Sequence, residues 1–495
     1  MPPKNKRPAN EAPEIAEEIE DLVFEDPFGD DYEEEEFINE DEEDDDENTG
    51  EDQDELEAKE LEQIQRENNA QDDEENNEKT KVWRQGIDTL PEGEELEFDP
   101  SAYIMYHTLR AEWPCLSFDI LRDSLGEGRI RFPMSMYLIC GSQADRIDKN
   151  CLTIMKLTEL SKTHQPAEDD ESAEEDEDED VEEDPVLEHV NIPHHGGVNR
   201  IRSMPQYPGI VATMADTKHV NIFDLTNPYH EMQLKSGPAV PTSMALKPSY
   251  VFKGHRDEGF AIDWSPVVPG RLATGDCSGI IHVWSSSVSN SGGFADWKVD
   301  SNPYKGHKGS VEDIQWSPTE GTVFSSASAD NTIKIWDTRG KTGPQLSIAA
   351  HTQDVNVLSW NRNVSYLLAS GSDDGSFKVW DLRTLGKQEA EPLAHFKYHK
   401  DAVTSIEWAP HDESVICVSS ADNQVTVWDL SVEADQDSSQ SNSNNVALDY
   451  PPQLLFIHQG QNDVKEIHFH PQIPGVIVST AEDSINIFKP AINVS

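Results

Sequence analysis

From residue 98 onwards, short apolar segments alternate with polar residues and with turn-forming residues. The stretch from Ile333 to Trp336, for example, alternates apolar and polar side chains, and Asp373-Asp374-Gly375 has the composition of a tight turn. Alternation with a period of two residues is typical of β-strands, because successive strand side chains point to opposite faces of a sheet. The pattern therefore predicts an all-β domain.

A fixed spacing divides this domain into repeated units. Four units have a histidine 29 residues before a tryptophan: His255 and Trp284, His307 and Trp336, His351 and Trp380, His399 and Trp428. Two weaker units have His195 28 residues before Phe223 and His458 30 residues before Phe488. Successive opening histidines, by contrast, are 44 to 60 residues apart. A constant core with connectors of variable length predicts four-stranded blades.

Each unit closes with a Trp-Asp pair or an aromatic equivalent, so the units resemble the WD-repeat family, and six matched units are far more specific than a single pair. The resemblance implies an all-β, seven-bladed WD-repeat β-propeller over residues 98–495. The seventh blade is expected from strand candidates that precede the first clear unit: Leu116–Leu121, Met136–Cys140 and Cys151–Leu157. The first of these is expected to pair with the strand that ends near Phe488 and so to latch the ring.

Histidine, serine and aspartate recur together, as they would in a catalytic triad. A triad needs one nucleophile in one pocket, whereas these groups recur in each blade at a constant distance from the tryptophan. We therefore interpret them as a structural hydrogen-bond network. The predicted members are His307, Ser328, Asp330, Trp336, His351, Ser372, Asp374, Trp380, His399, Ser420, Asp422 and Trp428. The last unit departs from the pattern, with Glu482 in place of the aspartate.

The motifs of common enzyme classes do not stand out from this background. The sequence contains no glycine-rich phosphate loop, and no His/Cys cluster has metal-ligand spacing. We expect a protein that is not an enzyme, with no catalytic residue, no metal and no cofactor.

Negative charge is concentrated outside the repeats. The chain of 495 residues has a formal net charge of −59, and residues 1–100 contain 41 acidic against 8 basic side chains. A second segment, 165–188, contains 15 acidic side chains and no Lys or Arg. Runs of this density repel themselves and bury too little apolar surface to fold. We expect a disordered acidic tail over residues 1–97 and a disordered acidic loop over 165–188, acting as interaction tails or solubilising arms.

Cysteine usage and hydropathy bear on location. The five cysteines are scattered and form no Cys-x-x-Cys pair, which is typical of thiols in a reducing compartment. No stretch reaches 18 apolar residues, and the first residues lack the apolar core of a secretory signal. We expect a soluble intracellular protein. The basic cluster of Lys4, Lys6 and Arg7 is compatible with a nuclear import signal.

Two segments distinguish this propeller from a generic one. Apolar residues at positions 103, 106 and 109 predict an amphipathic helix over about residues 101–110, lying on the ring before the first strand. The alternative is a helix that only packs on the blades. Near residue 450, consecutive prolines cannot extend a strand ladder and predict a stiff loop beside the last blade.

Together these segments resemble the RbAp-type histone-binding WD proteins. In that family an N-terminal helix and an acidic Pro-Pro loop form a groove for a partner helix. The resemblance implies a partner-binding groove in this chain. Its residues would be Tyr103, Tyr106, Leu109, Asp449, Pro451 and Pro452.

A closer resemblance is to the glutamate-rich WD-repeat proteins and their fungal counterparts, the regulators of ribosome biosynthesis. It is carried by the acidic N-terminus, the stretch from Glu94 to Asp99, the stretch from Pro114 to Asp119 and the acidic loop after the first blade. The resemblance implies a nuclear and nucleolar ribosome biogenesis factor, with shuttling through the cytoplasm left open. Its client would be newly made large-subunit ribosomal protein L-three, delivered to pre-60S assembly together with other assembly factors.

The charge pattern favours a basic protein partner independently. A free ribosomal protein or histone carries dense positive charge, and an acidic arm can occupy that charge reversibly. The acidic positions expected to bind the client are Glu33, Glu34, Glu35, Glu36, Asp44, Asp45, Asp46, Asp176, Glu177, Asp178, Glu179 and Asp180. Phe24, Phe28 and Tyr32, interleaved with acids, are expected to anchor it.

Two alternative functions stay open. A histone-binding chaperone or chromatin adaptor would also hold basic proteins. A ubiquitin-ligase substrate receptor is suggested by Trp336-Asp337-Thr338-Arg339 and Trp380-Asp381-Leu382-Arg383, which match the short Trp-Asp-x-Arg box of such receptors but also arise in ordinary blades. Direct nucleic-acid binding is disfavoured, because both acidic segments would repel phosphate. We expect a monomer that binds no membrane.

Overall fold

A computed structural model describes most of the chain after residue 97. The described residues are 98–163, 185–234, 242–288, 293–340, 343–385, 390–432 and 450–492. All of them belong to one compact unit, Glu97–Ser495. The acidic client-binding positions predicted above, the aromatic anchors Phe24, Phe28 and Tyr32, and the groove residue Asp449 lie outside the described residues.

Seven antiparallel sheets follow one another around a ring, six with four strands and one with five. Innermost strands of neighbouring sheets contact each other all the way round, including the last sheet and the first. The prediction of a seven-bladed β-propeller is confirmed. Each sheet is a blade that exposes only a short outer edge, because its inner strand packs against the neighbouring blades.

The strands of the first three blades have the following bounds. Blade 1 contains β2 (Cys115–Ile120), β3 (Met134–Ser142), β4 (Cys151–Leu160) and β5 (Val186–Pro193). Blade 2 contains β6 (Val198–Met204), β7 (Tyr207–Ala215), β8 (Val220–Asp224) and β9 (Tyr250–Phe252). Blade 3 contains β10 (Ala261–Trp264), β11 (Arg271–Gly275), β12 (Ile280–Val288), β13 (Phe294–Val299) and β14 (Tyr304–Lys305).

The remaining blades follow the same order from the inside outwards. Blade 4 contains β15 (Val311–Trp316), β16 (Val323–Ser328), β17 (Thr332–Asp337) and β18 (Leu346–Ala349). Blade 5 contains β19 (Val355–Trp360), β20 (Leu367–Ser372), β21 (Ser376–Asp381) and β22 (Ala394–Lys397). Blade 6 contains β23 (Val403–Trp408), β24 (Val415–Ser420), β25 (Val425–Asp429) and β26 (Leu454–His458). Blade 7 contains β27 (Glu466–Phe469), β28 (Ile477–Thr480), β29 (Ile485–Pro490) and β1 (Tyr103–Leu109).

The core lies between and within the blades, where aromatic side chains fill the space that widens towards the outside of the ring. The closing tryptophans Trp284, Trp336, Trp380 and Trp428 are fully buried, and Phe223 and Phe488 occupy the corresponding positions of blades 2 and 7. Burying a side chain of this size contributes roughly 1.5–3 kcal/mol. The residue that ends each sequence repeat is therefore the centre of the blade's packing.

The ring is closed by a strand from the beginning of the described chain. Strand β1 pairs antiparallel with β29, with Tyr106 opposite Phe488 and Leu109 opposite Ile485. The predicted latch was a different segment, and this prediction was wrong: β2, at Cys115–Ile120, is the inner strand of blade 1. The other two strand candidates do belong to blade 1, as β3 and β4.

The predicted helix over residues 101–110 is also wrong. A single 3-10 turn, Pro100–Ala102, is capped by the Asp99 side chain, which accepts the Ser101 backbone N–H at 2.9 Å. The chain then extends as β1, in which Tyr103 and Met105 are buried. Spacing of apolar residues by three fits a helix, but pairing of every second backbone group with the open edge of β29 outweighs that preference.

The two ends of the ring carry different connections. We call lower face the end with the links from first to second strand and from third to fourth strand, such as 121–133 and 265–270. We call upper face the opposite end, with links such as 143–150 and 276–279. The α-helix α1 (Thr226–Leu234) lies in the link between β8 and β9. Neither helix in the described part of the chain is long and apolar enough to cross a membrane.

Candidate functional site

The recurring polar residues form a buried network inside the blades. In blade 4, His307 Nδ1 lies 3.1 Å from Asp330 Oδ2 and His307 Nε2 lies 2.7 Å from Ser326 Oγ. Ser326 Oγ also accepts the indole N–H of Trp336 at 2.8 Å. The aspartate accepts the backbone N–H groups of Lys308 and Thr332 as well, so the network ties the upper links to the strands.

The structure places a different serine in this network from the one that the sequence predicts. In blade 4 it is Ser326 rather than Ser328, whose hydroxyl instead accepts the Asp330 backbone N–H at 3.1 Å. Blade 5 likewise uses Ser370, at 2.8 Å from His351 Nε2, and not Ser372. Blade 6 uses Thr426 in place of the predicted Ser420, whose hydroxyl accepts the Asp422 backbone N–H at 3.2 Å. The pairs there are His399 Nε2 with Thr426 Oγ1 at 3.0 Å and Trp428 Nε1 with the same oxygen at 2.8 Å.

Blade 2 corrects the position of one opening histidine. His194, not His195, is buried, with its ring nitrogens 2.8 Å from Gly196 O and 2.9 Å from Thr213 Oγ1. His194 precedes Phe223 by 29 residues, which restores the spacing of the strong units. These repeated groups are closed hydrogen-bond circuits whose donors and acceptors bind each other, an arrangement that positions strands.

A second network lies around the central channel. Glu466 on β27 is 1 % exposed, and its Oε1 lies 2.6 Å from both Arg200 and Arg202 on β6. Its Oε2 accepts the backbone N–H of Phe118 on β2, so this carboxylate joins blades 7, 1 and 2. Burial alone would raise the pKa of Glu466, but the two arginines hold it well below the usual range. Burial would likewise lower the pKa of its neighbour His468, but Glu407 and Glu466 outweigh burial and raise it to about 9.

Below this network a cavity of about 150 Å³ opens towards the lower face. Its wall includes the carboxylates Asp119, Asp263 and Asp313, together with the arginines at 200, 202 and 362. Burial raises the pKa of Asp263 to about 7. Because charges of both signs line the cavity, it has no clear preference for anions or cations, and we do not assign a ligand to it.

The predicted groove residues are brought to neighbouring blades. Tyr106 lies on β1 of blade 7, and Pro451 and Pro452 lie just before β26 of blade 6. The two outer strands meet through Tyr103, whose ring centroid is 5.3 Å from that of Phe456. Since β1 replaces the predicted helix, the surface between these elements is a seam between two strand edges.

Two of those residues serve the core rather than the surface. Tyr103 is 6 % exposed, and its hydroxyl lies 2.8 Å from His458 Nδ1. Leu109 packs against the cluster between blades 7 and 1. Tyr106 is half-buried and stands 4.9 Å from Phe98, which is 52 % exposed. Phe98, which the sequence did not indicate as a site residue, is therefore more exposed than Tyr450, the other exposed aromatic residue near this seam.

An acidic cluster occupies the upper face beside the channel. We define the upper acidic cluster as Asp257, Glu258, Glu312, Asp354 and Asp373, contributed by blades 3, 4 and 5. Burial raises the pKa of Glu312, and the charges of Asp354 and Asp373 add to the increase. Burial also raises the pKa of Asp354, and the negative charge of Asp373 again adds to the increase.

Two cations of the described residues act on members of the cluster. Lys218 lies 3.0 Å from Asp257, and the charge of Arg200 acts on Glu312. The raised pKa values indicate that burial, with a further contribution from neighbouring carboxylates, disfavours the ionised forms of Glu312 and Asp354. Sequence reasoning missed this cluster, because its members come from three blades and lie far apart along the chain.

The two Trp-Asp-x-Arg boxes lie at the ends of third strands. Arg339 and Arg383 are exposed, and each guanidinium lies 2.7 Å from the aspartate of its own box. The guanidinium of Arg383 also stacks 3.4 Å above the ring of Tyr366. Both boxes are therefore ordered surface features of this propeller.

Comparison with known proteins identifies the family. A family model described as histone-binding protein RBBP4 or a subunit of the CAF1 complex matches residues 93–161, and the WD domain, G-beta repeat model matches 299–337, 343–381 and 390–429. The Arabidopsis thaliana protein Heat Stress Tolerant DWD 1 is 47 % identical over 83 % of this chain and 91 % of its own length. The chain belongs to the glutamate-rich WD-repeat family.

Two further relatives agree with this assignment. Ribosome assembly protein rrb1 of Schizosaccharomyces pombe is 43 % identical, over 88 % of this chain and 91 % of its own length. Glutamate-rich WD repeat-containing protein 1 of Dictyostelium discoideum is 47 % identical, over 83 % of this chain and 84 % of its own length. The family resemblance drawn from the sequence is thus confirmed.

Proposed function

We propose that this chain is a non-enzymatic ribosome biogenesis factor of the nucleus and nucleolus that chaperones a basic ribosomal protein. The preferred client is large-subunit protein L-three, which the chain holds until pre-60S assembly. One relative, 43 % identical, is named as a ribosome assembly protein, and this name supports the process. The WD-repeat scaffold supports a binding role rather than catalysis.

The upper acidic cluster is the observation that best supports a basic client. Glu312, Asp354 and Asp373 lie close enough to interact, and burial, with mutual repulsion, raises the pKa of Glu312 and Asp354. Lysine or arginine side chains of a client relieve that repulsion, and the partial burial of Glu312 makes a contact with its carboxylate stronger than it would be in open water. The acidic segments of the sequence add long-range attraction and fast association.

Neutralising the cluster tests this proposal. We expect the triple variant Glu312→Gln, Asp354→Asn, Asp373→Asn to bind purified L-three at least tenfold more weakly, as measured by titration calorimetry. The matched control is Asp296→Asn, Glu320→Gln, Glu413→Gln, which removes the same charge from exposed positions of the lower face. Equal affinities of the two triple variants would move the client site away from the upper face.

A histone client is the second candidate, because the family model that matches residues 93–161 is described as a histone-binding protein. Purification of the full chain from cells, after digestion of RNA, separates the two. Recovery of L-three with assembly factors supports the first function. Recovery of core histones with chromatin proteins, and no ribosomal protein, supports the second.

A further inference from the structure

The exposed apolar side chains are distributed unevenly between the two faces. Most of the large ones belong to links or strand ends of the lower face. They are Phe98, Leu125, Ile130, Val186, Leu187, Tyr207, Leu234, Val267, Val268, Leu393 and Tyr450. On the upper face, where the acidic cluster lies, Ile147 is also a large exposed apolar residue. Exposed apolar groups gathered on one side of a folded domain indicate a surface for protein partners.

Within the lower face, the link 121–133 of blade 1 stands out by its length. It spans 13 residues, whereas the corresponding links of the other blades span two to seven. Its tip turns through Gly126 and Gly128, both with positive φ, and presents Leu125 and Ile130 at 56 % and 70 % exposure. An ordered loop that holds two large aliphatic side chains in water forgoes the free energy of burying them within its own domain.

The link is fixed in place by blade 7. Buried Gln472 accepts the Asp123 backbone N–H at 2.8 Å, and its side-chain amide donates to Asp123 O and Gly126 O. The Arg129 backbone N–H donates to Gln472 O, and the Arg129 guanidinium pairs with Asp123 Oδ2 at 2.7 Å. The loop therefore loses little conformational entropy when a partner binds.

The charge of this link is opposite to that of the rest of the chain. Arg122, Arg129 and Arg131 lie in it, and Lys162 stands 5.6 Å above the ring of Phe132. Glu127 pairs with Arg122, and Asp123 with Arg129. Among the described residues, no carboxylate lies within ion-pair distance of Arg131 or Lys162. A net positive, apolar surface on a chain of net charge −59 does not suit the basic client of the upper face.

We propose that the blade 1 link, through Leu125, Ile130, Arg131 and Lys162, docks a segment of a partner protein that carries apolar side chains next to carboxylates. The aliphatic tips supply the apolar contact, and the two cations select for acidic neighbours. This surface is separate from the client site, so a basic client and an acidic partner bind at opposite ends of the ring.

Selection from a random library of displayed 12-residue peptides tests the proposal on the full chain. Peptides that bind the wild type are screened against the double variant Leu125→Ser, Ile130→Ser and, separately, against Arg131→Glu, Lys162→Glu. We expect a class of peptides that loses at least tenfold in affinity to both variants, and this class should be enriched in Asp or Glu next to Leu, Ile or Phe. Leu393→Ser, which changes an equally exposed leucine of the lower face, should leave this class unaffected.

Each other outcome overturns the proposal. If the peptides that depend on the loop are basic, the link binds the client rather than an acidic partner. If no peptide depends on it, the exposed aliphatic side chains bind no linear segment. If such peptides appear only after residues 166–183 are deleted, the chain's own acidic segment is the occupant. Thermal melts of both double variants accompany the selection, and because the two variants alter different groups, failure of one to fold leaves the other as the test.

Discussion

The buried network of blade 3 allows the effect of Asp276→Ala to be worked out in advance. Asp276 Oδ2 lies 3.0 Å from His255 Nδ1, and both side chains are fully buried. The same carboxylate accepts three backbone N–H groups, those of Arg256, Ser278 and Ile280, at 3.0–3.1 Å. Removing it leaves buried donors without partners, and one such donor costs about 1–3 kcal/mol. We expect the free energy of unfolding to fall by roughly 3 kcal/mol, since part of the site relaxes or takes up water.

The pKa of Asp276 provides a second route to the magnitude. Burial acts to raise it, but hydrogen bonds from His255 and Ser278 outweigh burial and lower it from 3.8 to about 2. At 1.36 kcal/mol per pKa unit this corresponds to about 2 kcal/mol. Because the folded-state pKa is depressed, the contribution is present above the unfolded-state value near 4 and is lost as the pH falls towards 2. The two routes thus give similar magnitudes, about 3 and about 2 kcal/mol.

Denaturant titrations of the wild type and the variant at pH 7 and at pH 3 measure this effect. Glu482→Ala is the control, because Glu482 has the corresponding position in blade 7 but is exposed, and its loss should cost under about 0.5 kcal/mol. The deficit of Asp276→Ala should shrink between pH 7 and pH 3. A deficit that is equal in the two variants, or that does not change with pH, would refute the reasoning.

Three other perturbations have expected outcomes of different kinds. Glu466→Gln leaves the partly buried Arg200 and Arg202 without their carboxylate and should cost roughly 3–5 kcal/mol, measured by chemical denaturation. Gly375 has a φ of +73°, and Gly375→Ala places a Cβ 2.5 Å from the His399 carbonyl oxygen, so this variant should have a lower melting temperature. Gly293→Ala is the control, because its Cβ would meet no atom within 4 Å, and it should leave the melting temperature unchanged. Deleting residues 165–184 should weaken client binding and flatten its dependence on salt concentration without unfolding the propeller, as titration over a range of salt concentrations would show.

The repeat was predictable because each blade is the same structural unit and therefore has the same residue spacing in the sequence. The stretch of sequence from His255 to Trp284 contains the three inner strands of blade 3. Its length is nearly the same in each unit, because the corresponding strands of all blades have similar lengths. The links from third to fourth strand lie outside that stretch and vary in length without disturbing the core. The spacing therefore gives the number and place of blades, while the bounds of the variable links do not follow from it.

Closure of the ring could not be assigned from local pattern. Strand β1 and its partner β29 are separated by almost the whole domain, and their pairing depends on which segment reaches the open edge of blade 7. Both Leu116–Leu121 and Tyr103–Leu109 have the composition of strands. The second of these also has apolar residues three apart, which is the spacing expected of a helix face.

The choice of network serine failed for a related reason. Ser326 and Ser328 are two residues apart on β16, so they point to the same face of the sheet. Both are fully buried. Which of them meets the histidine depends on how deep in the blade that ring lies, and this depth is set by the upper link rather than by the strand.

The features that distinguish this propeller lie at positions that the blades do not share. Glu258 and Asp354 each follow the opening histidine of their unit by three residues, and the same position is Ser310 in blade 4 and Ala402 in blade 6. A residue on which every fold of this kind depends, such as Trp336, recurs in each strong unit. A charged residue that is present in only some of the blades places its charge on one side of the channel. A residue that is repeated in every blade is instead distributed evenly around the ring. Comparing the blades of one chain with each other therefore separates the positions that build the ring from those that differ between blades and give its surface a distinct charge.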